Sequence, residues 1–176
     1  MSIPRALPPP TGSVCWLSRS VLQTALSASQ QSERRRVIQP FHKDGSALLQ
    51  RMLNAVQPGS YIPPHRHLDP PKAESWIVLR GSLAFFTFDD AGNIDECLQI
   101  GADSEVFGVD LEPGVYHTFF ALEPDTVVFE VKSGPYSADT DKAFPSWAPR
   151  EGSDGASAYL ARLEAEFAQR SKTKSA

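Results

Sequence analysis

Apolar and polar positions change rhythm three times along the chain. The opening residues are proline-rich with no apolar period, and residues 1–17 predict a flexible arm. Ser18 then stands as a cap before a short amphipathic stretch with Val21, Leu22, Ala25 and Leu26 on one helical face. That helix and a polar linker ending in Glu33-Arg34-Arg35-Arg36 fill 18–44. From about Ala47 to Val131 the texture becomes short β-type runs: ALLQRMLNAV, SYI, SWIVL, SLAFFTF, IDECLQI, VFGVDL, HTFFAL and TVVFEV. Turn residues separate them, with Asp89-Asp90-Ala91-Gly92-Asn93 the clearest hairpin signal. Strands at this spacing, with no helices alternating between them, predict an all-β sandwich or small barrel over 45–133 and argue against a doubly wound α/β sheet. Residues 134–176 open as a proline- and aromatic-rich strap. They close with a helix over about 157–169, with Tyr159, Leu160, Leu163 and Phe167 on one face and a frayed end beyond it.

Composition narrows the function classes. With 41% hydrophobic and 22% charged residues the chain is globular, and a net charge of −4 gives nucleic acid little to bind. The three arginines beside Glu33 read as a solvated helix end or a source of salt bridges. No apolar run is long enough to cross a bilayer, and the opening residues lack a signal-type apolar core, so the expected location is the cytoplasm. Cys15 and Cys97 provide neither a disulfide framework nor a thiolate metal site.

The chemistry sits elsewhere. Of four histidines, His65 and His67 form an H-x-H pair, and alternate residues of an extended strand project to one face about 6–7 Å apart. Two imidazoles do not complete a divalent site. Glu74, at the start of SWIVL, and His117, three residues after the Pro113-Gly114 turn, supply the remaining ligand types. The candidate metal set is therefore His65, His67, Glu74 and His117, a nitrogen and oxygen donor set suited to Fe, Mn, Ni, Co, Cu or Zn.

These segments resemble the cupin superfamily, whose first motif is G-x5-H-x-H-x3–4-E-x6-G and whose second ends in P-x-G-x2-H. Gly59 to His65 and Glu74 to Gly81 keep the motif spacing. The His67-to-Glu74 gap is longer and contains Leu68-Asp69-Pro70-Pro71. In the second motif Pro113 abuts Gly114, and Ala121 stands where an asparagine is common. The segments RMLNAVQPGSYIPPHRHLDPPKAE, LEPGVYHTFFALEPDTVVFEVKSGPY and DKAFPSWAP resemble the WbuC family of cupin-fold metalloproteins, found with O-antigen and surface-polysaccharide genes. The resemblance implies a cupin barrel (double-stranded β-helix) holding a divalent transition metal. It leaves the reaction open between isomerase-like and oxygenase-like chemistry and a non-catalytic, metal-dependent binding or sensor module.

No catalytic residue is assigned. The candidates are Lys72, placed to present an ammonium at the site mouth, and Glu130, which with Lys132 shares one face of a β run and points either inward or to solvent. Tyr61, Arg51 and Asn54 are candidates to line the pocket, and His42 falls outside the ligand set. The expected partner is a small polar molecule, a sugar or sugar nucleotide, with no nucleic acid and no membrane. Exposed barrel edges predict a homodimer.

Overall fold

The computed structural model describes residues 4–174. Helix α1 spans Arg19–Gln31. The strands are β1 (Arg36–Pro40), β2 (Leu49–Val56), β3 (Glu74–Arg80), β4 (Ser82–Phe88), β5 (Ile94–Gly101), β6 (Gly108–Leu111), β7 (Tyr116–Ala121) and β8 (Thr126–Ser133), and helix α2 spans Ala156–Lys174. All strand pairs are antiparallel, in one sheet ordered β1-β2-β8-β3-β6 and a second ordered β5-β4-β7. Sequence neighbours β3 and β4 lie in different sheets, so the chain crosses between layers as a cupin-type barrel requires.

Three apolar clusters hold the layers. Val56, Trp76, Val78, Leu83, Phe85, Phe119 and Val128 fill the space between the sheets. Alternate residues of β4 and β7, including Phe86, Phe88 and Phe120, point out of the barrel and are covered by Tyr159, Leu160 and Leu163 of α2. This accounts for the near-continuous apolar character of β4 and β7, buried on both faces. Each buried ring or leucine contributes roughly 2 kcal/mol of transfer free energy. Helix α1 starts where Ser18 Oγ accepts from the Val21 N–H, and it lays Ala25 and Leu26 on Val37, Leu53, Ala55 and Val127. Gly81, which ends the first motif, has φ +72°, and a Cβ added there would stand 2.5 Å from Thr126 Oγ1. Gly114 has φ +87°, and its turn admits the chain into β7.

Four local expectations give way. Arg36–Pro40 forms β1, masked in the sequence by the arginine cluster; its alternate burial places Val37 in the core. Ser60–Ile62 is not a strand. Within the predicted arm, Leu7 N–H donates to the Ile38 carbonyl at 2.8 Å and Ile38 N–H donates to Arg5 at 3.1 Å, so Arg5 to Leu7 runs along the free edge of β1. Helix α2 continues to Lys174 instead of fraying after 169. Among the described residues, no helix is long and apolar enough to cross a membrane.

Candidate metal centre

The H-x-H segment is tied to β7 by a single antiparallel bridge, in which the N–H groups of His65 and His117 each donate to the other's carbonyl, at 3.1 and 3.0 Å. Glu74 opens β3, opposite Lys132 of β8. Two loop-entered strand ends and the H-x-H segment therefore meet at one end of the barrel. The side-chain donor atoms of His65, His67 and His117 all lie within 4.8 Å of one another. All four candidate ligands are buried, with exposures of 2–4%.

The outer nitrogens settle the tautomers. His65 Nδ1 meets the Pro63 carbonyl at 2.9 Å, His117 Nδ1 meets Val115 at 2.9 Å, and His67 Nδ1 meets Asp141. A carbonyl only accepts, so each Nδ1 carries the hydrogen, and in the neutral ring each Nε2 presents its lone pair inward. Burial, then the charge of Lys142, pushes His65 well below the ordinary imidazole range, which favours the neutral ligand form.

Glu74 sits at the edge of this triangle, its Oε1 2.6 Å from His117 Nε2 and its Oε2 3.6 Å from His67 Nε2. The short approach lies off a hydrogen-bond line, and Glu74 Oε1, His117 Nε2 and His67 Nε2 are buried without a hydrogen-bond partner. Burial alone would raise the Glu74 carboxyl; positive charge on the His117 and His67 side, together with Lys132, outweighs it and holds the group well below the usual range. An ionised carboxylate and inward lone pairs at this separation repel unless a positive charge lies between them. A divalent transition metal fits that requirement and this donor set. Protons on the inward nitrogens are the alternative charge.

The strap closes the site. Arg66 and Ala143 exchange backbone hydrogen bonds at 3.0 and 2.9 Å, and the Phe144 ring stands 6.1 Å from the His65 ring. On the barrel side, Trp76 meets His117 edge-on at 5.4 Å. Lys72 is not at a mouth: it is buried, donating to Asp141 Oδ1 at 2.8 Å and to the Pro135 carbonyl at 2.7 Å. Glu130 does point inward, but it accepts from Asn54 Nδ2 at 2.7 Å and faces Lys132 at 3.6 Å, not a histidine. Lys132 also donates to Asp141 Oδ2 at 3.2 Å.

The remaining candidates scatter. Tyr61 lies in the α2 cluster and donates to the Pro149 carbonyl, and Arg51 lines an outer groove of about 280 Å³ beside the N-terminal segment. His42 bonds the Arg51 backbone. Arg34 and Arg36 both pair with Glu151, so the cluster is a source of salt bridges. Asp141, Lys142 and Phe144 escaped the sequence reading as site residues, although DKAFPSWAP was among the segments carrying the family resemblance.

A family model described as a domain of unknown function, DUF6016, matches residues 17–100, which covers α1, the H-x-H pair and Glu74 but not His117. No protein of curated function matches in sequence. Among solved structures, a tryptophan-to-phenylalanine variant of Bacillus subtilis oxalate decarboxylase is similar over 56% of this chain and 24% of its own, at 19% identity and TM-score 0.45. The formate complex of the Lactobacillus farciminis oxalate decarboxylase matches 57% of this chain and 28% of its own, at 21% identity and TM-score 0.44. A further Bacillus subtilis structure, described by its Mn(II) centres, matches 57% of this chain and 25% of its own, at 20% identity and TM-score 0.45. The chain thus spans about a quarter of the length of these proteins.

Proposed function

We propose that this chain is a metal-dependent cupin of WbuC type that acts on a small polar molecule, a sugar or sugar nucleotide of surface-polysaccharide metabolism. His65, His67 and His117 hold a divalent transition metal, and Glu74 is the fourth ligand. The observation that carries the reading is the convergence of three imidazoles whose Nδ1 atoms are all committed to backbone carbonyls. A bound ion supplies Lewis-acid polarisation of an oxygen donor. The chain's own groups orient the ligands, exclude water and set the charge: Trp76 and Phe144 wall the imidazoles, and Asp141 fixes two lysines beside them. The unpaired outer edge of β6, beside exposed Ile77 and Phe107, supports a homodimer built on that edge.

Contact of the strap with His65 and His67 favours a second reading, a binding or sensor module that holds its ligand without converting it. Elemental analysis of the purified chain, combined with a screen of sugar nucleotides, separates the two. The wild type is expected to carry one ion per chain, and His65→Ala and His117→Ala to lose it with the far-UV circular dichroism unchanged. Conversion lost in both variants supports the enzyme; saturable, chelator-sensitive binding without product supports the module. Full metal content in both variants would defeat either reading.

A further inference from the structure

We propose that Glu130 is the ligand-facing acceptor of this site: one oxygen of its carboxylate takes the hydrogen of a hydroxyl on the molecule bound beside the histidines. The inference rests on the metal reading above and deepens it. It makes the part of the ligand seated there a polyol or sugar ring, not a carboxylate or phosphate.

The strand ladder fixes where Glu130 stands. On the inner face of the five-stranded sheet, Lys132 of β8 lies opposite Glu74 of β3, and Glu130 lies opposite Trp76. Diagonal neighbours on such a face are about 7–8 Å apart, so Glu130 sits one step down the barrel from Glu74 and faces the same interior. Trp76, its cross-strand partner, is the residue that meets His117 edge-on at 5.4 Å. On the other side of β8, β2 sets Met52 opposite Glu130 and Asn54 opposite Val128.

The two carboxylate oxygens are used differently. Oε2 accepts from Asn54 Nδ2 at 2.7 Å. Oε1 has Lys132 Nζ at 3.6 Å, beyond hydrogen-bond reach, and no donor among the described residues. Glu74 Oε1 and Trp76 Nε1 are sealed in without a partner; Glu130 Oε1 is not sealed, so it borders open space. The Glu130 side chain is 11% exposed against 3% for Glu74, and Asn54 beside it is half-buried. The polar interior therefore opens at Glu130 and Asn54. A carboxylate only accepts, so its free oxygen calls for a donor, and a carboxylate or phosphate dianion would bring lone pairs to it. A hydroxyl brings the hydrogen and keeps acceptor capacity of its own, which suits a site where the Trp76 N–H also lacks an acceptor. Asn54 is the positioning residue: its amide holds Oε2 and leaves Oε1 turned to the opening.

The test uses the full chain loaded with Co(II), whose visible absorption reports on its ligand field. The probes are hydroxamic acids, which chelate the ion through their own oxygens. Acetic, propionic and butyric hydroxamic acids are each compared with the counterpart of equal length that carries a terminal hydroxyl. At least one hydroxylated probe is expected to bind about fivefold or more tighter than its parent. Glu130→Gln keeps an oxygen for Asn54 but turns the other position into an amide donor. It is expected to bring that preference to within about twofold, with Co(II) uptake and affinity for the parent probe unchanged. Asn54→Ala is expected to lower the preference without abolishing it. Absence of preference in all three pairs overturns the proposal, as does preference retained in Glu130→Gln. A loss shared equally by parent and hydroxylated probe marks Glu130 as structural and overturns it too. If Glu130→Gln does not fold, Glu130→Asp, which withdraws the oxygens by one methylene, is read in the same way. Failure of the wild type to take up Co(II) defeats the metal reading and this inference with it, whereas a loaded protein indifferent to the hydroxyl defeats only this inference.

Discussion

Asp141 carries the electrostatics of the strap, and its replacement by asparagine isolates that role. The side chain is 4% exposed and accepts from Lys72 at 2.8 Å and Lys132 at 3.2 Å. Asp141→Asn keeps the shape and one acceptor oxygen but leaves two buried ammoniums short of a counter-charge. Removing one partner of a buried pair costs roughly 3–5 kcal/mol, and the surviving oxygen puts this variant near the lower end, about 3 kcal/mol. For a chain of this size that corresponds to a fall in Tm of roughly 6–12 °C. Asp90, 84% exposed in its pair with Arg66, is the control, because Asp90→Asn should cost about 1 kcal/mol or less. Burial alone would raise the Asp141 carboxyl, but Lys132 and Lys72 hold it below the ordinary range. A depressed carboxylate adds its stability above the unfolded value of about 3.9 and loses it as pH falls through the folded value. The difference between wild type and Asp141→Asn is therefore full at neutral pH and closes only in acid below about pH 4. Urea unfolding followed by circular dichroism at both pH values measures it. A neutral-pH difference under about 1 kcal/mol would refute the buried pairing, since exposed pairs account for that much.

Two further outcomes follow from the same geometry. Metal that binds the folded triangle and not the unfolded chain stabilises by about 2.7 kcal/mol at a free concentration of 100 times Kd, so Tm should rise by roughly 5–11 °C and return on chelation; a thermal scan showing no shift with any first-row divalent ion contradicts the site. Gly81→Ala forces a Cβ to within 2.5 Å of Thr126 Oγ1, which is itself held by the Ser82 and Glu123 carbonyls, at a backbone φ of +72°. It should cost about 2 kcal/mol or more in urea unfolding, and a neutral result would show that this turn relaxes freely.

What was legible in the sequence follows from the range of the interactions involved. Alternation of apolar and polar residues is local, so β2 to β8 and both helices were visible in the residues that form them. The convergence of His65, His67, Glu74 and His117 was legible because motif spacing records which residues leave a turn on the same face. Strand β1 was not, because RVIQP starts on the last of three arginines and its pairing partner is β2, beyond the linker. Nor was Lys72: a lysine in a proline loop reads as solvated until Asp141, 69 residues later, is brought onto it. Glu130 was undecided for a related reason, since its direction depends on Asn54 across the sheet. The strap has neither helical nor strand period, and its contribution exists only once it is laid across the barrel.

That contribution ties binding to folding. His67 depends on the Asp141 carbonyl to fix its tautomer, and the same residue's carboxylate anchors the strap to Lys72 and Lys132. Docking the strap therefore orders a candidate ligand, and a metal held by His67 would favour the docked strap by the same free energy, because coupling between two equilibria is reciprocal. His65 and His117 are different: their Nδ1 acceptors, Pro63 and Val115, lie two residues away in their own segments, so they stay oriented whatever the strap does. The candidate site thus divides into a pair of imidazoles preset by the barrel and a third set by the strap. With the proposed ion bound, releasing the strap would therefore cost one oriented imidazole, His67, while His65 and His117 kept their Nδ1 contacts.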